Sequence, residues 1–324
     1  MKNQNIKQYA PVIVFAYNRP MHLRDTLEAL NKCYMAEVSN IYIICDGPKA
    51  ELTSDILEVR KVVKEFEIKS RFKTTTSYIS EHNNGLAKSV IKGVTSIIEK
   101  YGRVIVLEDD LICSCNFLLF MNQALEYYSD NEQIWSISGY MFKTNLFNIA
   151  EKDVLFMGRA SSWGWATWKN RWELIDWGVK DYNNFKFNIV KRLKFSKWGR
   201  DLPIMLDQQV NSNINSWAIR WVYEQNKQNK YSVYPVKSLI DNRGADGSGE
   251  HKSNTNLFST EIDNGEKKIF EFEELYLNKN IEKACRKQYG FSTQVFLRVF
   301  LKNFFELHFP EAQFFFVSNF YILP

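Results

Sequence analysis

The stretch Arg103-Val104-Ile105-Val106-Leu107-Glu108-Asp109-Asp110 constrains this chain more than any other, because an apolar run ends abruptly in three carboxylates. A short, β-branched apolar run reads as a strand buried on both faces, as in a parallel sheet. In open α/β sheets, ligands bind outside the carboxyl ends of such strands. Three neighbouring acids at that edge repel one another and lose hydration, so they call for compensating positive charge. A divalent cation carrying phosphate oxygens supplies it, since Mg²⁺ is usually held by one or two carboxylates plus substrate phosphates. A loop of solvated acids after an ordinary strand accounts for the same residues, and on these eight alone both readings stand.

The flanking sequence places this strand among others. Pro11 to Ala16 is a first buried strand, closed by Tyr17-Asn18-Arg19-Pro20, with Pro20 suited to a turn or a first helical position. Leu23, Leu27 and Leu30 follow at helical spacing, and Ile41 to Cys45 is a second strand ending in the turn signal Asp46-Gly47-Pro48. A helix over Leu57 to Phe66 and a strand over Thr75 to Ile79 come next. Asn83-Asn84-Gly85 then opens a helix with Leu86, Val90, Val94 and Ile97 on one face. After the acidic strand, Asn116 caps a helix and Ile134 to Ser138 forms a fifth strand. This alternation predicts an α/β fold, a mixed and mainly parallel sheet flanked by helices. Asp46, Asn84 and Asp109 fall near strand ends, so one edge of the sheet collects them.

Composition narrows the function. The 324 residues carry a net charge of +5, which suits an anionic small ligand or a weak attraction to an anionic membrane surface and lacks the charge density of a nucleic-acid binder. Five cysteines, an odd number without zinc spacing, argue against a disulfide framework and for a reducing compartment. Met1 to Gln8 is polar and lacks the apolar core of a signal peptide, so the cytoplasm is the expected location. No G-x-G-x-x-G follows the first strand and no G-x-x-x-x-G-K-[ST] occurs, which excludes nicotinamide Rossmann and P-loop readings.

The second half changes character. Ser161 to Trp172 packs four Trp into ten residues, to be read as core packing or as flat faces that grip a sugar. Ser216 to Trp221 begins a helix, and Tyr231 to Val236 is strand-like. Asp241 to His251 holds three glycines and reads as an unpacked surface linker or lid. Phe296 to Phe320 is strongly apolar, with Arg298, Lys302 and Glu306 spaced by four, suited to packing on the domain, a dimer contact or a membrane surface. The expected division is 1–260 (a half over 1–140 and another over 141–260) followed by a helical, aromatic-rich extension over 261–324.

With these residues placed, the chain resembles the GT-A, Rossmann-like class of nucleotide-sugar glycosyltransferases. It looks closest to bacterial family-2-like enzymes of surface polysaccharide assembly, and its N-terminal half is similar to the N-acetylglucosaminyltransferase that starts N-glycan branching. The likeness rests on Ile13 to Arg19, Ile43 to Asp46 and Val104 to Leu111, and it covers about 140 residues. The resemblance implies a nucleotide-sugar donor contacted by Ala16, Tyr17, Asn18, Arg19, Asp46, Asn84, Gly85, Lys88, Glu108 and Asp109. It implies Mn²⁺ or Mg²⁺ on Asp110, in the place of the family's DXD motif, with His251 as a second ligand. Trp163, Trp165 and Trp217 would meet a saccharide or lipid-linked saccharide acceptor, and the enzyme would lie in the cytoplasm or peripherally at the inner membrane face. The transfer would be inverting, with a carboxylate taking the acceptor's proton. In the eukaryotic relative the base lies in a Trp-Asp-Asp-Trp segment, whereas Trp217-Ala218-Ile219-Arg220-Trp221 holds no acid here. Asp246 is the first candidate, with Asp207 and Glu224 behind it. The rival readings are a non-catalytic carbohydrate-binding protein and a sugar-phosphate nucleotidyltransferase.

Overall fold

The computed structural model describes residues 9–144, 151–244, 246, 258 and 260–290, so His251 and the apolar run 296–320 lie outside the described residues. Strands β1 (Val12–Ala16), β2 (Asn40–Cys45), β3 (Thr74–Ile79) and β4 (Arg103–Glu108) run parallel in the order β3-β2-β1-β4. Helices α1 (Pro20–Asn31), α2 (Ser54–Lys69) and α3 (Leu86–Tyr101) connect them. Along β1 the side chains alternate between two cores. Val12, Val14 and Ala16 join α1 and α2, whereas Ile13 and Phe15 pack with α3. Both faces are covered, so β1, β2 and β4 read as unbroken apolar runs rather than alternating ones, whereas the edge strand β3 is polar and part-exposed. Because β2, β1 and β4 are parallel neighbours, Cys45 pairs with Ala16 and Glu108 with Phe15, and their carboxyl ends share one edge.

Beyond β4 the chain departs from simple alternation. After β5 (Leu111–Cys113), α4 (Phe117–Tyr127), β6 (Ile134–Ser138) and β7 (Val154–Met157), strand β8 (Trp165–Trp168) inserts antiparallel between β4 and β6. Five short helices follow: α5 (Lys169–Trp172), α6 (Tyr182–Lys186), α7 (Ile189–Phe195), α8 (Asp201–Val210) and α9 (Trp217–Lys227). Strand β9 (Tyr231–Pro235) pairs with β6 and β7, completing an eight-stranded sheet, β3-β2-β1-β4-β8-β6-β9-β7. The sheet is therefore mixed and mainly parallel, flanked by helices, and strands from 141–260 extend the sheet begun by 1–140.

One open reading is decided here and two expectations are corrected. The Trp-rich segment supplies a central strand, with Trp165 in one core and Ala166 and Trp168 in the other. The segment expected to be an unpacked loop from Asp241 begins instead as β10 (Ile240–Asn242), antiparallel to β5, with Asp241 opposite Ile112 and Asn242 opposite Leu111. Asn116 does precede α4, yet its side chain does not cap it; Nδ2 donates to Asp263 Oδ1 at 2.8 Å, and Oδ1 accepts from Ser114 Oγ at 2.6 Å.

Helix α10 (Lys279–Gln288) closes the described residues. Arg159 anchors it, donating both terminal nitrogens to Asp201 at 2.8 Å while its guanidinium lies 3.9 Å from the centre of the Tyr289 ring. Among the described residues no helix is long and apolar enough to cross a membrane.

Candidate active site

Pro20 at the first helical position of α1 leaves Arg19 as the N-cap residue, with its side chain free of any capping bond. That side chain turns toward the end of β4 instead. Its guanidinium hydrogen-bonds Asp109 Oδ1 and lies 2.9 Å from Asp110 Oδ2, so one cation is forked between two carboxylates. Asp109 is buried, and Oδ2 accepts from the Tyr17 backbone N–H at 3.4 Å. Thr26 of α1 donates to the Asp109 carbonyl at 2.7 Å, fixing the turn against the helix. Burial pushes the Asp109 carboxyl up to about 6, with Arg19 pulling it down and Asp110 pushing it further up. Burial also works against the Arg19 charge, but attraction from Asp109, Asp110 and Glu108 outweighs it and holds the guanidinium firmly protonated.

The compensating charge demanded by the three acids is thus partly present in the chain itself. Arg19 supplies that charge to Asp109 and Asp110. Asp110 Oδ1 accepts no hydrogen bond among the described residues. A carboxylate oxygen with an open lone pair suits a hard cation, although no group of three or more metal-ligating side chains occurs among the described residues. The residues fit a cation that arrives with its own phosphate oxygens, rather than a preformed protein cage.

The β5–β10 pairing brings a second loop to this edge. The Arg243 backbone N–H donates to the Asp110 carbonyl at 2.9 Å, and Gly244 N–H donates to Asn242 Oδ1 at 2.7 Å. A Cβ at Gly244 would fall 1.9 Å from Asp110 Oδ2, so only glycine allows this approach. Two residues on, Asp246 Oδ2 lies 3.1 Å from His22 Nε2, joining the loop to the first turn of α1.

On the other side of Arg19, Asp46 organises the β3–α3 connection. Its Oδ1 accepts from the backbone N–H groups of Gly47 and Asn84 at 2.9 and 2.8 Å, and its Oδ2 from that of Gly85 at 2.9 Å. Gly85 begins α3 with φ +76°, a left-handed value that favours glycine. Beside Asp46 lies a cavity of about 250 Å³ between β2, β3 and α3, lined among others by Tyr78, Ser89, Lys92 and Ser96. Cys45 also lines it, as a neutral thiol, because burial pushes its pKa up to about 12.

Arg19, Asp46, Asn84, Gly85, Glu108, Asp109, Asp110 and Asp246 therefore lie at or just beyond the carboxyl ends of β1, β2, β3, β4 and β10, with Tyr17 and Asn18 between β1 and Arg19. Ala16 is buried at the end of β1, and His251 is outside the described residues. Lys88 points to solvent without lining the cavity; Lys92, one turn later, does. The Trp expectation is corrected in two of three places. Trp165 and Trp217 are 1% and 3% exposed and stack with Trp172 and Trp221 in the core beside α3, so neither offers a face to a sugar. Trp163 alone is partly exposed, edge-on to Tyr140 and Phe258.

The reserve base candidates hold structure instead. Asp207 receives both terminal nitrogens of Arg192 at 2.9 and 2.7 Å and the Tyr182 hydroxyl at 3.0 Å, all buried. Glu224 is buried against Lys227 at 3.0 Å. Sequence reasoning missed His22, Thr26, Gly244 and the cavity. The stripe Ser89, Lys92, Gly93, Ser96 signals the cavity, being small or polar at helical spacing beside the apolar face.

No family model matches the chain, and no curated protein matches it. Among solved structures it is similar to the galactosyltransferase LgtC in complex with donor and acceptor sugar analogues, at 9% identity over 69% of this chain and 72% of that one, with a TM-score of 0.35. It is similar to an apo UDP-glucose pyrophosphorylase at 10% identity over 70% and 90%, with a TM-score of 0.36. It is also similar to the apo glycosyltransferase GlyE of Streptococcus pneumoniae TIGR4 at 10% identity over 90% and 63%, with a TM-score of 0.33. Superpositions this loose carry no argument about what the chain does.

Proposed function

We propose that the chain is a metal-dependent, inverting glycosyltransferase of the GT-A kind. It would move a hexosyl or N-acetylhexosaminyl group from a nucleotide sugar to a saccharide or lipid-linked saccharide in bacterial surface polysaccharide synthesis, lipopolysaccharide or capsule. The observation that carries this reading is the joint between Arg19 and the acids Asp109 and Asp110 at the shared edge of β1 and β4, beside Asp46 and the cavity. Ligands of open α/β sheets bind at such an edge. The base of the donor would enter the cavity beside Asp46, whose backbone bonds hold the Asn84-Gly85 loop in place. Arg19, Glu108 and Asp109 would meet the ribose and sugar. Asp110, through Oδ1, would hold Mn²⁺ or Mg²⁺ with His251 as a further ligand, and that cation would supply neutralisation of the diphosphate leaving group.

In the transfer, the acceptor oxygen bonds to the anomeric carbon as the bond from that carbon to the diphosphate oxygen breaks, and the hydroxyl proton goes to a carboxylate. Asp246 is the proposed base. In its favour are its place two residues beyond Gly244, which abuts Asp110, and the 3.1 Å contact with His22 Nε2, which orients the carboxylate. Positioned proton transfer of this kind typically contributes about 10²–10⁴-fold. Trp163 remains the proposed acceptor contact.

Burial of Trp165 and Trp217 weakens the carbohydrate-binding alternative, which depended on them. A sugar-phosphate nucleotidyltransferase would use the same acids, although Tyr17-Asn18-Arg19-Pro20 holds no glycine to cradle phosphates. A thermal-shift screen of nucleotide sugars with and without Mn²⁺ tests the reading, since a ligand of the native state raises its melting temperature. Stabilisation by a nucleotide sugar only with the cation is expected. Stabilisation by free glycans without nucleotide would favour the binding protein, and turnover of a nucleoside triphosphate with a sugar phosphate would favour the nucleotidyltransferase.

A further inference from the structure

The segment from Tyr182 to Arg200 carries Lys186, Lys191, Arg192, Lys194, Lys197 and Arg200 and no acid. Helix α7 at its centre is held by its inner face. Phe195 is buried, and Arg192 is buried in its paired bonds with Asp207. The outer face is apolar where a surface helix should be polar. Val190 is 75% and Leu193 53% exposed, and Ile189 and Phe187 are exposed beside them. Four such side chains within seven residues form a contiguous patch rather than the scattered exposed apolar residues of an ordinary surface. Lys191 and Lys194, both exposed, make no ion pair among the described residues, and the Lys186 ammonium lies 5.1 Å from the centre of the Phe187 ring.

We propose that the outer face of α7 docks on the surface of an anionic lipid bilayer. Apolar side chains interleaved with unpaired lysines match both layers of such a surface: the apolar side chains enter the acyl boundary, and the ammonium groups meet the lipid phosphates. A second copy of the chain fits less well. A two-fold contact through this patch sets Lys191 and Lys194 of one copy against those of the other, with no acid in the segment to offset them. Lys197, by contrast, is already partnered. Helix α10 packs against the turn after α7, where Lys197 meets Glu282 at 3.1 Å and Arg286 Nε donates to the Lys197 carbonyl at 3.2 Å. This inference does not rest on the proposed transfer reaction.

The test is co-sedimentation of the full chain with vesicles of phosphatidylcholine alone and of phosphatidylcholine with phosphatidylglycerol. Two double variants accompany it, Val190→Glu with Leu193→Glu, and Lys191→Glu with Lys194→Glu. All four side chains are exposed, so circular dichroism and melting temperature should stay at wild-type values. Wild type should bind the anionic vesicles and release them at high salt, and each double variant should lose roughly tenfold or more in partitioning. Equal binding to neutral vesicles, or no binding by wild type, overturns the proposal. Wild-type binding by both variants places lipid contact elsewhere in the chain and overturns it too. Concentration-dependent dimerisation that the Val190→Glu, Leu193→Glu variant abolishes would assign the face to a second copy instead.

Discussion

Replacing Arg19 by Ala removes the cation that bridges Asp109 and Asp110. The magnitude follows from the geometry. Each charge pair at about 4 Å is worth about 4 kcal/mol at an effective dielectric of 20, and Arg19 makes two. Most of that attraction offsets the desolvation of three charged groups, since the Arg19 and Asp109 side chains are only 16% and 4% exposed. What the variant loses is the compensation of a buried carboxylate, which costs about 3–5 kcal/mol. At roughly 2 °C per kcal/mol for a chain of this size, the melting temperature should fall by about 6–10 °C. Arg19→Lys should fall between the two, because an ammonium cannot fork between two acids. The assay is urea unfolding at neutral pH of wild type, Arg19→Ala, Asp109→Asn and the double variant. Adding Asp109→Asn to Arg19→Ala should recover part of the loss, because it removes the orphaned charge. A loss under about 1 kcal/mol in Arg19→Ala, with additive single effects, would refute the forked ion pair as the organising contact of this edge.

Three further outcomes follow from the structure. Gly244→Ala should weaken cation-assisted binding of a nucleoside diphosphate by roughly tenfold or more, about 1.4 kcal/mol by calorimetry, because the new methyl displaces the Asp110 carboxylate. Trp165→Ala should destabilise the fold by about 3–5 kcal/mol in urea unfolding, while Trp163→Ala should cost less and act on acceptor affinity instead. Asp201→Ala should destabilise by about 3–5 kcal/mol and loosen α10, read as faster hydrogen exchange over 279–288, because Arg159 then keeps a buried charge without its partner.

Much of the first half is legible in the sequence. Strands β1, β2 and β4 are apolar on both sides, and Pro20, Gly85 and the Glu108-Asp109-Asp110 end announce where the chain turns. The gathering of Arg19, Asp46 and Asp109 at one edge follows from parallel topology alone. The second half resists for physical reasons. In β8 the pattern Trp165-Ala166-Thr167-Trp168 fits a sugar-binding loop as well as a strand, because aromatic side chains serve both; only the neighbours β4 and β6 decide. The three-residue strand β10 is set by pairing with β5, a contact between residues 127 apart that no local pattern encodes (Cys113 to Ile240). The need for positive charge beside the acids was legible, but its source was not, since the proximity of Arg19 to Asp110 depends on how α1 leaves β1.

The central claim is that Asp110 binds the donor's diphosphate through a divalent cation. Isothermal titration of a nucleoside diphosphate into wild type and Asp110→Ala, each with and without Mn²⁺, tests it most directly. Wild type should bind only with Mn²⁺, and Asp110→Ala should lose that dependence while keeping wild-type circular dichroism. Equal Mn²⁺-dependent binding by a folded Asp110→Ala variant would contradict the claim.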